Sequence, residues 1–265
     1  MSEPVLLVDK TDGIATLTFN RPEQMNALSV ELRRAFQHAI ADIRSDPDVG
    51  VVILTGGGRA FCAGLDLKEM GDASLRAAGN SIPDPPSLLR TLKQPVIGAI
   101  NGVAVTGGFE ISLSCDLLIA TPNAHFADTH ARIGLIAGWG LGARLSRAIG
   151  LNRAKELSLT GNYLSAELAC QWGLVNRVVD PDALIPTCEE LARDMLSCVP
   201  EVMFRYKRQI DRAYDLSLGD AMTHELEINH LHQGPPADVV AERRAAVQSR
   251  GRQQSSRVTQ GGDES

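Results

Sequence analysis

The sequence holds 265 residues, 44% hydrophobic and 22% charged, enough apolar material for one large α/β domain or a main domain with a small appendage. Its net charge of -6, from 26 basic and 32 acidic side chains, argues against a nucleic-acid surface, which needs clustered Lys and Arg; Arg243, Arg244, Arg250 and Arg252 read as a solvated helix face. Five scattered cysteines without a CxxC pair indicate neither a zinc site nor a disulfide framework. The start, MSEPVLLVDK, does not read as a secretory signal, and the longest apolar stretch, 95–105, falls short of the ~20 residues of a membrane span, so a cytoplasmic protein is expected.

Residues 5–8 and 14–19 flank Asp12-Gly13, a hairpin signal because Gly accepts positive φ. In the second run Ala15, Leu17 and Phe19 alternate with Thr16 and Thr18, the period of a half-buried strand. Asn20-Arg21-Pro22 breaks it. Ser29 is placed to cap a helix that gathers Leu32, Phe36, Ala39, Ile40 and Ile43 on one face and ends at Asp46-Pro47-Asp48. Residues 51–54 are continuously apolar, as in a strand buried on both faces. Gly56-Gly57-Gly58 opens a loop to Met70, and residues 71–86, small, polar and Pro-containing, predict a mobile surface segment. A second buried strand is expected at 96–100, then the pair Gly107-Gly108 and a helix with Glu110 in its first turns. A third strand at 117–120 precedes a glycine-rich stretch at 134–142, helical segments over about 144–172 and a last strand at 175–179.

The first two-thirds therefore repeat strand, glycine loop and helix, which predicts a repeating α/β core over residues 1–180. From Pro181 the pattern turns helical: 181–197, 200–217 and a third helix from Pro235-Pro236 to about Ser249 make a C-terminal helical region over 181–250. Residues 251–265 hold almost nothing to bury and are expected to be disordered.

Two glycine loops carry the chemistry. GGGRAFCAGLDL is no P-loop, because no Gly-Lys-Ser/Thr closes it, and TGGFE lacks the GxGxxG spacing of a dinucleotide fingerprint. Each loop follows a buried strand, so both should leave the same edge of the core. Gly107 or Gly108 would start a helix, where N–H groups are unpaired and the dipole favours negative charge. Ala63-Gly64-Leu65 offers a second turn able to point an N–H inward. Two such donors aimed at one point make an oxyanion hole, and Glu110 could reach the same space.

GRAFCAGLDLKEM, followed by INGVAVTGGFEISLSCDLLIAT, resembles the paired signature of the enoyl-CoA hydratase/isomerase (crotonase) family. FNRPEQMNALS, FADTHARIGLIAGWGLGARLSRAIG and LTGNYLSAELACQWGLVNRVV follow the family's order, so the resemblance covers roughly residues 5–250. It implies a spiral of repeated strand–strand–helix units with C-terminal helices, and assembly as a trimer or a pair of trimers. It also implies that the backbone N–H groups of Leu65 and Gly107 hold a thioester oxygen and that Glu110 is a catalytic carboxylate. Gln24, Met25, Ala63, Asp66, Leu67 and Lys68 match positions that contact CoA, with Lys68 a candidate for a phosphate. CoA would be part of the substrate; no separate cofactor and no metal are expected, since the histidines show no ligand spacing.

The departure lies at the second catalytic carboxylate, where His130 stands. Two readings compete: His130 is a working acid or base near neutrality, or it marks a changed reaction. A third ties it into a structural network with Asp128. Asp128 and Thr129 are placed to orient it or bind substrate. Gly138 matches a glycine near the catalytic water, whereas Ala137 replaces a common proline and Trp139 is bulky, changes that would reshape the acyl pocket bounded by residues 71–86. Cys62 reads as packing. The leading expectation is a lyase performing syn hydration of 2-trans-enoyl-CoA. The alternatives are a double-bond isomerase, another enolate reaction of the family, or a non-catalytic acyl-CoA-binding protein.

Overall fold

The computed structural model describes residues 3–261, with side chains described to Arg252. The strands are β1 (Leu6–Thr11), β2 (Ile14–Phe19), β3 (Val51–Gly56), β4 (Ala60–Cys62), β5 (Val96–Ile100), β6 (Val103–Val105), β7 (Leu117–Ala120), β8 (His125–Ala127), β9 (Leu164–Ser165) and β10 (Arg177–Val178). The helices are α1 (Val30–Ser45), α2 (Leu67–Gly71), α3 (Ala73–Asn80), α4 (Pro85–Leu89), α5 (Gly107–Ser112), α6 (Leu141–Ile149), α7 (Leu151–Thr160) and α8 (Ala166–Gln171). They continue as α9 (Leu184–Leu196), α10 (Pro200–Tyr214), α11 (Leu218–Leu231) and α12 (Ala237–Gly261).

The larger sheet has the order β1-β2-β3-β5-β7-β10 and the smaller one β4-β6-β8-β9. Asp12 and Gly13, both at positive φ, turn β1 back on β2. From β2 onward the larger sheet is parallel. The pairs β3/β4, β5/β6 and β7/β8 each give one strand to each sheet. Every repeat thus advances both sheets by one strand before a helix returns the chain, which is the expected strand–strand–helix spiral. The smaller sheet was not legible in the sequence; its strands are two or three residues long, too short for a period to show.

Alternation along β3 explains its unbroken apolar run. Val52 and Leu54 face the main core with Phe19, Phe36 and Phe61, while Val51 and Ile53 face a second cluster with Leu184, Cys188 and Ala192 of α9. Phe19 lies 5.7 Å, centroid to centroid, from both Phe36 and Phe61, and burying each such ring contributes about 1.5–3 kcal/mol. Ser29 caps α1, its Oγ accepting the Leu32 N–H at 3.1 Å.

Four expectations need correction. The core does not end at 180: α9 packs on β3, β5 and β7, and the first compact unit extends to Arg208. Residues 71–86 are largely helical, with Asp72 accepting the Ser74 and Leu75 N–H groups at the start of α3 and Asp84 accepting that of Ser87 in α4. The second unit, from Gln209, contains α11, a helix not anticipated between 218 and 231. Finally, α12 does not stop near Ser249 but runs to Gly261. No proline interrupts it and Arg and Gln propagate helix well once a helix has started. Residues 262–265 lie outside the described residues.

Candidate active site

Three neighbouring strands deliver the site. β4 pairs in parallel with β6, and β6 with β8. Their C-terminal ends lead to Ala63-Gly64-Leu65, to Thr106-Gly107 and to Asp128-Thr129-His130. Groups expected to cooperate therefore leave one edge of one sheet, the usual place for a ligand in parallel α/β structure. It is the smaller sheet that aims them.

Gly64 and Gly107 touch. Gly64 has φ +86°, and a Cβ there would collide with Thr106 Oγ1 and stand 3.1 Å from the Gly107 nitrogen. Leu65 forms a parallel bridge with Leu28 that uses the Gly64 carbonyl (2.8 Å from the Leu28 nitrogen) and the Asp66 N–H (3.3 Å to the Leu28 carbonyl). That pattern turns the N–H of Leu65 to the opposite side. Among the described residues, neither Leu65 N–H nor Gly107 N–H has a hydrogen-bond acceptor. Two adjacent, unpaired backbone donors suit a single oxygen. Gly108 is needed for packing, because a Cβ there would run into the Cys62 carbonyl.

Glu110, on α5, is 2% exposed. Its Oε1 accepts the N–H groups of Trp139 (2.8 Å) and Leu141 (3.4 Å), leaving Oε2 toward His130 Nε2 at 3.8 Å. That gap is too long for a hydrogen bond and matches two groups sharing one water. The other ring nitrogen, Nδ1, lies 2.7 Å from Asp128 Oδ1; a carboxylate accepts, so Nδ1 carries hydrogen. His130 is thus both tied to Asp128 and turned to Glu110.

The electrostatics follow from this chain of three. Burial pushes the Glu110 carboxyl above its ordinary value, against the Trp139 N–H and the neighbouring His130. The hydrogen bond that His130 donates to Asp128 raises His130 against its own desolvation, with Glu110 adding to the rise. Burial would raise Asp128 too, but hydrogen bonds from His130 and Ser158 and the His130 charge outweigh it and hold Asp128 low. Both upward shifts favour the protonated form, so His130 holds its proton more firmly than a free imidazole and Glu110 more firmly than an exposed carboxyl.

The remaining sequence candidates divide. The Met25 carbonyl accepts the Ala63 N–H at 3.0 Å, so Gln24 and Met25 run beside Ala63, Asp66, Leu67 and Lys68 around Leu65. Leu67 and Lys68 are exposed. Asp66 pairs with Arg21 at 3.0 Å and caps α2 through the Lys68 N–H. Gly138 is exposed, beside Trp139. Cys62 is buried and its thiol is pushed up to about 12 by desolvation, as a packing residue should be. Among the described residues, no group of three or more His, Cys, Asp or Glu could hold a metal ion.

Three residues escaped the sequence reading. Asn26 is fully buried at φ +55°; it accepts the Arg21 N–H at 2.8 Å and donates to the carbonyls of Gly57 (2.9 Å) and Ala60 (2.7 Å), fastening the 20–28 loop to β4. Thr106 holds φ +49° and ψ -115° just before Gly107, a strained conformation for a β-branched residue. Arg33 is buried against Trp139. Nothing local in the sequence marks any of them, since each depends on a partner at least 20 positions away.

Free N–H donors and a facing acid/base pair are the groups that suit a developing oxyanion and a moving proton. Comparison with known proteins narrows the class. The pattern of the enoyl-CoA hydratase/isomerase family matches residues 9–238. A probable peroxisomal enoyl-CoA hydratase 1 of Arabidopsis thaliana is 40% identical over 233 residues, 88% of each chain. The crystal structure of an enoyl-CoA hydratase from Mycobacterium smegmatis is 46% identical, with a TM-score of 0.72, covering 85% of this chain and 96% of that one. A monofunctional enoyl-CoA isomerase from M. smegmatis is 36% identical, with a TM-score of 0.71, covering 83% and 98%. The chain belongs to the enoyl-CoA hydratase/isomerase family.

Proposed function

We propose that the protein is an enoyl-CoA hydratase, adding water syn across a 2-trans-enoyl-CoA to give the 3-hydroxyacyl-CoA. The thioester oxygen sits between the N–H groups of Leu65 and Gly107. Glu110 Oε2 takes a proton from water as its oxygen bonds to C3; the C2–C3 π electrons move onto the thioester as an enolate, and imidazolium Nε2 of His130 protonates C2. Return of the proton from Glu110 to His130 through a water in their 3.8 Å gap resets the pair. That gap carries the reading: two proton-moving groups face each other beside the free N–H pair. Gln24, Met25, Ala63, Asp66, Leu67 and Lys68 line the CoA path, and Gly138 borders the water site. CoA arrives with the substrate and no other cofactor takes part, so dialysis against a chelator should leave the rate unchanged.

Steady-state hydration of crotonyl-CoA and longer 2-enoyl-CoAs tests this. No turnover above a Glu110→Gln control, with acyl-CoA still bound, would leave a binding protein and reject the lyase. A second reading, the double-bond isomerase, draws on the likeness to the solved isomerase; turnover of 3-enoyl-CoA without water addition would establish it instead. We further propose a cytoplasmic enzyme working as a trimer or pair of trimers. On α11, Leu218, Met222 and Leu226 are exposed at spacings of four, a helical stripe suited to a second copy of the chain. Light scattering should give a trimer or hexamer, and Met222→Glu with Leu226→Glu should reduce its mass.

A further inference from the structure

Arg33 is a charged side chain that the reaction above does not use. It lies on α1 and is 8% exposed. Its guanidinium stands 5.7 Å from the centre of the Trp139 ring. Another edge of that indole meets the oxyanion donors: Cζ3 lies 2.9 Å from where a Cβ of Gly107 would be. One ring therefore separates the thioester end of the site from Arg33. Nη2 donates to the Ile82 carbonyl at 2.8 Å, and Nη1 abuts Gly79, so Arg33 joins residues 71–86 to Trp139, the two segments expected to bound the acyl pocket.

Its charge is not matched. Nε is buried with no hydrogen-bond partner. Among the described residues, no carboxylate lies within ion-pair distance of Arg33. Glu69 and Asp84 act on it only from farther off, and both are engaged at helix starts, on the N–H groups of Val30 (2.7 Å) and Ser87 (2.8 Å). A guanidinium stays charged at any working pH, and burying one unpaired is costly. An apolar side chain would pack at this wall without that cost. A ligand carboxylate would remove it, since Nε–H and a neighbouring Nη–H form a fork for two oxygens.

We propose that Arg33 selects acyl groups ending in a carboxylate, so that this site prefers 2-enoyl-CoAs derived from dicarboxylic acids. The proposal rests on the acyl-CoA reading above and assigns the far end of the acyl group to the face of Trp139. Glutaryl-CoA and butyryl-CoA, saturated and inert to hydration, are suitable probes for calorimetry. The wild-type protein should bind glutaryl-CoA more tightly, by about tenfold or more for a desolvated charge pair. In Arg33→Leu, and in Arg33→Gln should the first fold poorly, the ratio of the two Kd values should fall toward one. A structural role alone would move both constants together and leave the ratio intact, which overturns the proposal, as does equal binding by the wild type. Glutaconyl-CoA and crotonyl-CoA, compared by kcat/KM, report the reaction separately. A Kd preference that needs Arg33 in a protein hydrating neither substrate keeps the proposal and rejects the hydratase. Hydration of both without preference does the reverse.

Discussion

The two halves of the site are made of different material. The half proposed to hold the oxygen is backbone: the N–H groups of Leu65 and Gly107, set by the Leu28–Leu65 bridge and the close approach of Gly64 to Thr106. The half proposed to move protons is three side chains, Glu110, His130 and Asp128, joined by one short hydrogen bond and one 3.8 Å gap. Backbone donors have no ionisation of their own, so their contribution is indifferent to pH and tolerant of the side chain attached; a leucine serves at position 65. The side-chain half is tunable, and it is there that a histidine stands. A scaffold can thus keep its anion hole and alter its proton chemistry by a single substitution.

Removing one half at a time should separate these contributions. The largest loss is expected for Glu110→Gln, about 10²–10⁴-fold in kcat as for other general acid/base groups, with the Kd for butyryl-CoA little changed; an unaltered rate would strike Glu110 from the mechanism. Gly64→Ala attacks the other half, since its Cβ would push on Thr106 and the Gly107 nitrogen at φ +86°. It should cost about 10²–10³-fold in kcat without shifting the pH profile, and a shifted profile would show that the halves are not independent. Asn26→Ala removes the clamp between the 20–28 loop and β4, taking a donor from the carbonyls of Gly57 and Ala60 and the acceptor from the Arg21 N–H. Urea unfolding should register about 1–3 kcal/mol for a buried group left unpaired, more than a surface amide would give.

The smallest effect concerns pH. The rate should follow a bell whose acid limb reports protonation of Glu110, raised by burial, and whose alkaline limb reports loss of the His130 proton, raised by Asp128. Asp128→Asn removes the hydrogen bond that favours the imidazolium, so the alkaline limb should move to lower pH while the acid limb changes less. The stability carried by that pair is complete between the ordinary aspartate and histidine values of 3.8 and 6.5, is lost on the acid side as Asp128 takes a proton, and declines as pH rises through the raised histidine value. Thermal melts of wild type and Asp128→Asn should therefore differ less at alkaline pH than near pH 6, and a constant difference would contradict the assignment.

Much of this was readable in the chain. The buried strands at 51–54, 96–100 and 117–120 appear in the structure because unbroken apolar runs between glycine turns signal parallel strands. Leu65, Gly107, Glu110 and His130 were named from motif order, and the structure brings all four to one sheet edge. What escaped depends on distant partners. β4, β6, β8 and β9 exist only because each is held by a neighbour, and α9 reads as a separate amphipathic helix until its apolar face meets β3. Arg33 looks like any helix-surface arginine; its burial comes from Ile82 and Trp139, 49 and 106 positions away.

In the proposed hydration, a thioester enolate held by backbone N–H groups is protonated at C2 by the group beside which water adds at C3. Turnover of crotonyl-CoA in deuterium oxide, followed by NMR of the product, tests it most directly. The expected product is 3-hydroxybutyryl-CoA with one deuterium at C2 on the same face as the new hydroxyl, lost in Glu110→Gln and formed more slowly by Gly64→Ala. Deuterium on the opposite face, or recovery of crotonyl-CoA unchanged from a protein that binds butyryl-CoA, would contradict it.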